Sequence, residues 1–140
     1  MVPLPQGEAW DGGKNGAGTG VRHMQKTTGR LGEIRAEQVL ADKGYEILAR
    51  NAVMPGSEID LIARDGAVIV FIEVKTRTGG FAPGRAAVTP AKQKRICKGA
   101  VYYMMRNGLM NRQARFDVIE IQGERVTHIE NAFPYQGPAF

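Results

Sequence analysis

Residues 58–75 read EIDLIARDGAVIVFIEVK. Asp65-Gly66 at the middle is a dipeptide that favours a two-residue hairpin loop, because both residues tolerate positive φ. The flanks, Glu58 to Arg64 and Ala67 to Lys75, are then antiparallel arms. Val68-Ile69-Val70-Phe71-Ile72 runs without a polar break, the pattern of a central strand covered on both faces. If Arg64 pairs with Ala67, Asp60 stands opposite Phe71 and Glu58 opposite Glu73. Side chains alternate along a strand, so Asp60, Glu73 and Lys75 are expected on one face. Asp60 and Glu73 become diagonal neighbours, with Cα atoms about 7–8 Å apart.

Carboxylates gathered at the end of a buried hairpin repel each other and lose solvation, so they call for an offsetting charge. A divalent cation supplies it, and oxygen ligands without histidine or thiolate favour Mg²⁺, with Mn²⁺ able to substitute. The plainer alternative is a pair of surface acids neutralised by Lys75 and a neighbouring arginine.

Outward from the hairpin, the chain alternates helix and strand. Helical periodicity is expected from about Thr28 to Gly44, with Ala36 and Leu40 on the inward stripe and Glu33 three residues before Ala36. Glu37 lies near the same stripe, and spacing alone leaves the choice between these acids open. Tyr45 to Arg50 reads as a strand and Asn51 to Ser57 as a turn. After a glycine-rich loop from Thr78 to Gly84, Thr89-Pro90 looks like an N-cap with proline at the first helical position. The helix it opens should reach about Asn107 and stop at Gly108, burying Ile96, Cys97, Ala100, Tyr103 and Met104. Lys94, Arg95, Lys98 and Arg106 lie largely off that stripe. Two further strands are expected, at Phe116 to Ile121 and Val126 to Ile129, with a turn at Gln122-Gly123. Residues 1–27 are expected to be a flexible tail, residues 28–133 one domain, and residues 134–140 a second tail.

The chain has 140 residues, 43% hydrophobic and 24% charged, which suits one ordinary soluble domain. Its one cysteine, Cys97, excludes an internal disulfide, and no Cys/His cluster suggests zinc. No signal-peptide core or apolar run long enough to span a membrane is visible, so a cytoplasmic location and no membrane partner are expected. The net charge is +5, and its distribution is uneven. Between Glu73 and Asp117 there is no acidic residue, while ten of the 19 lysines and arginines lie there. Such a surface can neutralise a phosphate backbone, though a solvated helix face has the same composition. Lys92, Lys94, Arg95, Lys98, Arg77 and Arg85 are the candidates for holding nucleic acid. Tyr102 could stack on a base, whereas Tyr103 belongs to the core. His23 and His128 suggest no ligand role.

Gly56-Ser57-Glu58-Ile59-Asp60-Leu61-Ile62, the apolar strand, and Glu73-Val74-Lys75 resemble the Asp…Glu-x-Lys signature of the PD-(D/E)XK nuclease superfamily. Gly32-Glu33, Gly44-Tyr45, Arg50-Asn51 and Arg115-Phe116-Asp117-Val118 extend the likeness to the small bacterial family known as UPF0102 or YraN, itself similar to Holliday junction resolvases. The resemblance covers roughly residues 29 to 133. It implies an α/β fold of the restriction-endonuclease type, a central mixed sheet of about five strands flanked by helices. It further implies Asp60 and Glu73 as metal ligands, Glu33 as the helix acid, and Lys75 beside the attacking water. Ser57, inserted between Gly56 and Glu58, departs from the family's usual Gly-Glu-Ile-Asp.

The expected activity is Mg²⁺- or Mn²⁺-dependent hydrolysis of phosphodiester bonds, in DNA that could be branched or single-stranded, with a role in repair, recombination or uptake. Gln93 is a candidate polar contact to water or phosphate, and equally an ordinary helix-start residue. A binding module that keeps the fold without turnover is the alternative, and nothing in these residues separates DNA from RNA. A homodimer would suit paired cuts on a four-way junction, yet no dimer stripe is visible.

Overall fold

A computed structural model describes the backbone of residues 20–77 and 88–137, with side chains described from Arg30 onward. Among the described residues, α1 (Gly20–Asp42) leads into three antiparallel strands, β1 (Glu46–Met54), β2 (Ser57–Asp65) and β3 (Val68–Arg77). Helix α2 (Pro90–Arg106) then crosses over to β4 (Ala114–Gln122), and β5 (Arg125–Phe133) closes the sheet. The strand order is β1-β2-β3-β4-β5, with β3 and β4 parallel and every other pair antiparallel. This is the α/β fold with a five-stranded mixed sheet that the family resemblance implies.

The apolar run of β3 explains the layering. Ile69 and Phe71 face one core with Ile96, Cys97, Ala100, Tyr103 and Met104 of α2. Val70 and Ile72 face the other, with Ala36 and Leu40 of α1. Each of these four β3 side chains is at most 1% exposed, which is why the strand needs no polar alternation. Thr89 caps α2, its hydroxyl accepting the Lys92 N–H at 3.2 Å, with Pro90 at the start and Asn107 at the end.

Besides strands that run a few residues longer, β5 reaching Phe133 instead of Ile129, three boundaries differ from expectation in ways that matter to the site. The helix α1 begins at Gly20, not Thr28, because Val21 to Lys26 contains no glycine or proline to stop it. Residues 1–19 and 138–140 of the two expected tails, with the loop 78–87, lie outside the described residues. The strand β1 runs on through Asn51 to Met54, leaving only Pro55-Gly56 as the turn. Asn51 adopts φ 50°, a left-handed conformation that asparagine tolerates, so the chain kinks where a stop was expected. The hairpin loop is Gly66-Ala67, since Asp65 pairs with Val68. Only Gly66 there has positive φ, the pattern of a type II′ turn. Asp65 stays in the strand, where its carboxylate meets Arg115 at 3.0 Å.

Helix α2 approaches the β1–β2 turn at Gly99. A Cβ there would lie 2.8 Å from the Cβ of Ser57 and 3.3 Å from Met54 Cε. Gly99→Ala gains about 1 kcal/mol of helix propensity but costs about 1–3 kcal/mol in overpacking. The backbone-anchored Ser57 Cβ cannot swing aside, so the cost should outweigh the gain and the variant should be less stable to urea by up to about 2 kcal/mol. Adding Ser57→Gly should restore the loss; no recovery would place the clash elsewhere. Ser57 Oγ is buried without a hydrogen-bond partner, so the residue inserted before Glu58 is accommodated by Gly99 rather than by a polar contact.

Candidate active site

The β2–β3 ladder runs from the hairpin loop only as far as Leu61↔Ile72. Beyond it β2 stays paired with β1 down to Met54↔Ser57, and β3 stays paired with β4 out to Arg77↔Gln122. The sheet therefore forks, and Asp60 and Glu73 are the first residues on the two prongs. The register is displaced from the one expected: continued past Leu61↔Ile72, it sets Asp60 against Glu73 instead of Phe71. The displacement carries both acids to the mouth of the fork and brings them nearer to each other.

Strand β2 also turns at this point. Regular alternation would place Ile59 and Leu61 on one face, yet Ile59 belongs to the α2 core and Leu61 to the α1 core. The kinked Asn51 lies between the pairs Arg50↔Leu61 and Ala52↔Ile59, directly across from Asp60. Asp60 consequently leans into the gap between the prongs, where its Oδ2 accepts the Val74 N–H at 2.8 Å. The expectation of three side chains on one flat face is corrected accordingly. Glu73 and Lys75 continue the alternation of Phe71 on β3, while Asp60 reaches toward them from the kink.

Electrostatics follow from this crowding. Burial pushes the Asp60 carboxyl well above its ordinary value, Glu73 and Glu33 push it further, and the Val74 amide and Lys92 oppose them. Glu73 is only 4% exposed, and its Oε2 meets the Lys92 ammonium at 2.5 Å. Lys92, expected to hold nucleic acid, points inward to Glu73 from the first turn of α2. Burial likewise raises the Glu33 carboxyl, with a hydrogen bond from Asn51 opposing it. Glu37 is tied to Arg50 at 2.8 Å. Of the two helix acids it is Glu33 that acts on Asp60.

The remaining candidates separate. Lys75 is partly exposed and has no ion-pair partner among the described residues. Gln93 donates from its amide to Val88 O at 2.9 Å and accepts from the Gln136 amide, so both ends are held by protein. Arg77 is paired with Glu120. Lys94, Arg95 and Lys98 are exposed on α2, and Arg85 lies outside the described residues. Residue patterning missed Asn51, read as part of a turn, and the inward role of Lys92. The Arg50-Asn51 dipeptide was the only signal available for the first.

A separate polar cluster lies at β4. Asp117 is fully buried and accepts from Arg115 Nε at 3.0 Å, from the Asn131 N–H at 2.9 Å and from His128 Nε2 at 2.8 Å. Lys43 Nζ, which can only donate, lies 2.9 Å from His128 Nδ1, so Nε2 carries the proton given to Asp117. These contacts hold the layers together and leave the fork untouched.

Among the described residues no three His, Cys, Asp or Glu side chains already converge as a metal cage. Two carboxylates at a fork, one half-buried and the other buried and neutralised by a lysine, form the kind of donor set that Mg²⁺ uses when water and phosphate oxygens complete its shell. Asp60 and Glu73 therefore fit a hard divalent cation, with Glu33 near enough to act on Asp60 electrostatically.

Fold and fork together define an α/β protein built around a split mixed sheet with an acid pair and a lysine at the split. The family model described as "Uncharacterised protein family UPF0102" matches residues 32–121, from the second half of α1 through β4. A UPF0102 protein of Geobacter sulfurreducens is 44% identical over 117 residues, covering 79% of this chain and 91% of that protein. One of Symbiobacterium thermophilum is 44% identical over 117 residues, covering 79% and 98% respectively. Another, of Alkalilimnicola ehrlichii, is 43% identical over 112 residues, covering 79% and 89%. The chain belongs to the UPF0102 family. No described helix is long and apolar enough to cross a membrane.

Proposed function

We propose that the protein is a divalent-metal-dependent nuclease that hydrolyses phosphodiester bonds of nucleic acid, with DNA as the first substrate to test. The observation that carries this is the fork: two acids, Asp60 and Glu73, are crowded at the split in the sheet beside Lys75 and below a helix without a single acidic residue. A binding surface alone gives no reason to set acids next to a polyanion. The resemblance to PD-(D/E)XK nucleases supports the same assignment.

In this proposal Asp60 and Glu73 hold Mg²⁺ or Mn²⁺, which supplies polarisation of the phosphate and a more acidic water. Lys75, next along β3 on the face of Glu73, orients the attacking water and counters charge developing on the phosphate. Asn51 and the Val74 amide fix Glu33 and Asp60 respectively, so the acids are held in place by the kink and the fork. Lys92 neutralises Glu73 and is free to turn to a phosphate when a cation takes over that role. Lys94, Arg95 and Lys98 hold backbone without reading sequence.

Cleavage of plasmid, single-stranded, flap and four-way-junction DNA, with matched RNA, in Mg²⁺ or Mn²⁺ tests the assignment. Activity unchanged in Asp60→Ala, Glu73→Ala and Lys75→Ala would exclude it. A second, binding-only function is favoured by one observation, the Lys92–Glu73 contact that occupies a proposed ligand. It requires salt-sensitive binding that survives both EDTA and loss of Asp60, without turnover.

Metal binding has a thermodynamic signature independent of turnover. A cation that binds only the folded state stabilises it by about 2.7 kcal/mol at a hundredfold excess over Kd. For a domain of this size that corresponds to a Tm increase of roughly 5–15 °C. Mg²⁺ or Mn²⁺ should therefore raise the melting temperature and Glu73→Gln should remove most of the increase. An unchanged Tm in both metals would eliminate the two-acid site.

A further inference from the structure

Outside the fork, a groove of about 740 Å³ runs along the outer side of α2, bounded by Lys94, Lys98, Tyr102, Met105, Tyr135 and Pro55. The four helix residues recur at intervals of three or four and so form one stripe. The stripe is polar at its first two positions and apolar at its last two, where Tyr102 is 42% and Met105 64% exposed. The opposite wall is built by the segment after β5. The Gln136 N–H donates to Cys97 Sγ at 3.3 Å and its side-chain amide donates to Gln93, which sets Tyr135 beside the helix. The groove starts in the same turn of α2 from which Lys92 reaches Glu73.

Its occupant must meet two demands: a flat apolar face for Tyr102, Met105 and Tyr135, and negative charge for Lys94 and Lys98. A second copy of this chain fails the second demand. Helix α2 has Lys92, Lys94, Arg95, Lys98 and Arg106 and no acid, so pairing the face with itself leaves its lysines without a counter-charge. An intact duplex fails the first, because its bases show only their edges in the grooves. An unstacked nucleotide meets both, offering a π-face to the tyrosines and phosphates to the lysines.

We propose that this groove takes an unpaired nucleotide of the strand leading to the fork, its base stacked on Tyr102 and its flanking phosphates held by Lys94 and Lys98. The proposal rests on the nucleic-acid assignment above and narrows the substrate to nucleic acid containing a single-stranded stretch. Base stacking tolerates any sequence, so the groove selects strand structure, not base identity.

The test is fluorescence anisotropy in EDTA, which separates binding from cleavage, with a labelled oligothymidylate and an abasic oligomer of the same length. Tyr102→Ala should weaken oligothymidylate binding about five- to 150-fold, leave the abasic oligomer unaffected, and be rescued by Tyr102→Phe. Lys94→Ala with Lys98→Ala should weaken both oligomers and flatten the salt dependence. Tyr102 is exposed, so its truncation should leave the melting temperature unchanged. The proposal is overturned if wild-type protein does not bind oligothymidylate, or if Tyr102→Ala changes neither oligomer or both equally. It is also overturned if the variant breaks a dimer in solution while oligomer binding persists. Base-dependent binding without cleavage in Mg²⁺ or Mn²⁺ would retain the groove and remove the nuclease assignment. Cleavage without base-dependent binding would do the reverse.

Discussion

Asp60→Asn is expected to abolish phosphodiester cleavage, a loss of about a thousandfold or more, while making the metal-free protein more stable. In the proposed mechanism the activity loss follows from removing one of the two charged ligands of a cation that would contribute several kcal/mol to transition-state stabilisation. The stability gain follows from the fork. Asp60 is half-buried beside the acids Glu73 and Glu33, and its carboxyl is raised by that environment. An acid whose folded value is raised contributes stability that is fully present below its unfolded value, about 3.9, and lost as pH rises through the folded value. At pH 7–8 without metal, the charged carboxylate therefore works against folding. Asparagine removes the charge and keeps an oxygen for the Val74 N–H. Wild-type protein should melt lower than Asp60→Asn at pH 8 in EDTA, and the gap should narrow as the pH is lowered. Adding Mg²⁺ should raise wild type and leave the variant in place. A less stable Asp60→Asn protein in EDTA would show that the carboxylate stabilises the fork by itself, and retained cleavage would end its proposed catalytic role.

The largest loss of stability is expected from Asp117→Ala, about 3–5 kcal/mol. Removing this buried carboxylate leaves Arg115, His128 Nε2 and the Asn131 N–H without their common acceptor. Arg115 keeps Asp65 and the Tyr45 hydroxyl, which places the loss toward the lower end of that range. Burial by itself would raise the Asp117 carboxyl, but His128, Arg115 and the Asn131 amide together hold it below its ordinary value. Its contribution is thus present above the unfolded value near pH 3.9 and lost as pH falls through the lower folded value. Urea denaturation from pH 7 to pH 3 should show a shallower loss toward acid in Asp117→Ala than in wild type. Asp117→Asn retains an acceptor and should lose less. A variant within about 0.5 kcal/mol of wild type, the range of ordinary surface substitutions, would mean that water replaces the carboxylate.

The two acids are opposite cases of burial. Asp117 has a complete set of donors and serves the fold. Asp60 has one backbone donor and two acidic neighbours, so its position costs stability, which the proposed cation site would account for. Such local conflict between stability and placement is characteristic of functional sites.

Much of this was written locally in the chain. The apolar run from Val68 to Ile72 determined a strand buried on both faces, because no polar residue there could face solvent. Thr89-Pro90 and Gly108 bounded α2 through capping and backbone preferences within a few residues. The order Asp60, Glu73, Lys75 placed acids and lysine at one end of a hairpin whatever loop closed it, provided the register shifted by an even number of residues. Asp65-Gly66 could not determine which residues formed that loop. Arg115, fifty residues away, holds Asp65 in the strand, and the loop moves to Gly66-Ala67. Asn51 looked like a turn because asparagine favours left-handed backbone there as well as in a kinked strand; only pairing with β2 separates the two. Glu33 and Glu37 share a helix face, and the tertiary position of Arg50 assigns Glu37 to a structural ion pair and leaves Glu33 near Asp60. Lys92 was grouped with the nucleic-acid lysines by its charge, yet it lies four residues before Ile96 on the inward stripe and meets a buried carboxylate. The sequence by itself determined the elements and the residue types at the split, since these depend on neighbours along the chain. The fork, its electrostatics and the groove beside it were decided by tertiary structure, because they depend on charges and side chains brought together from distant strands and helices.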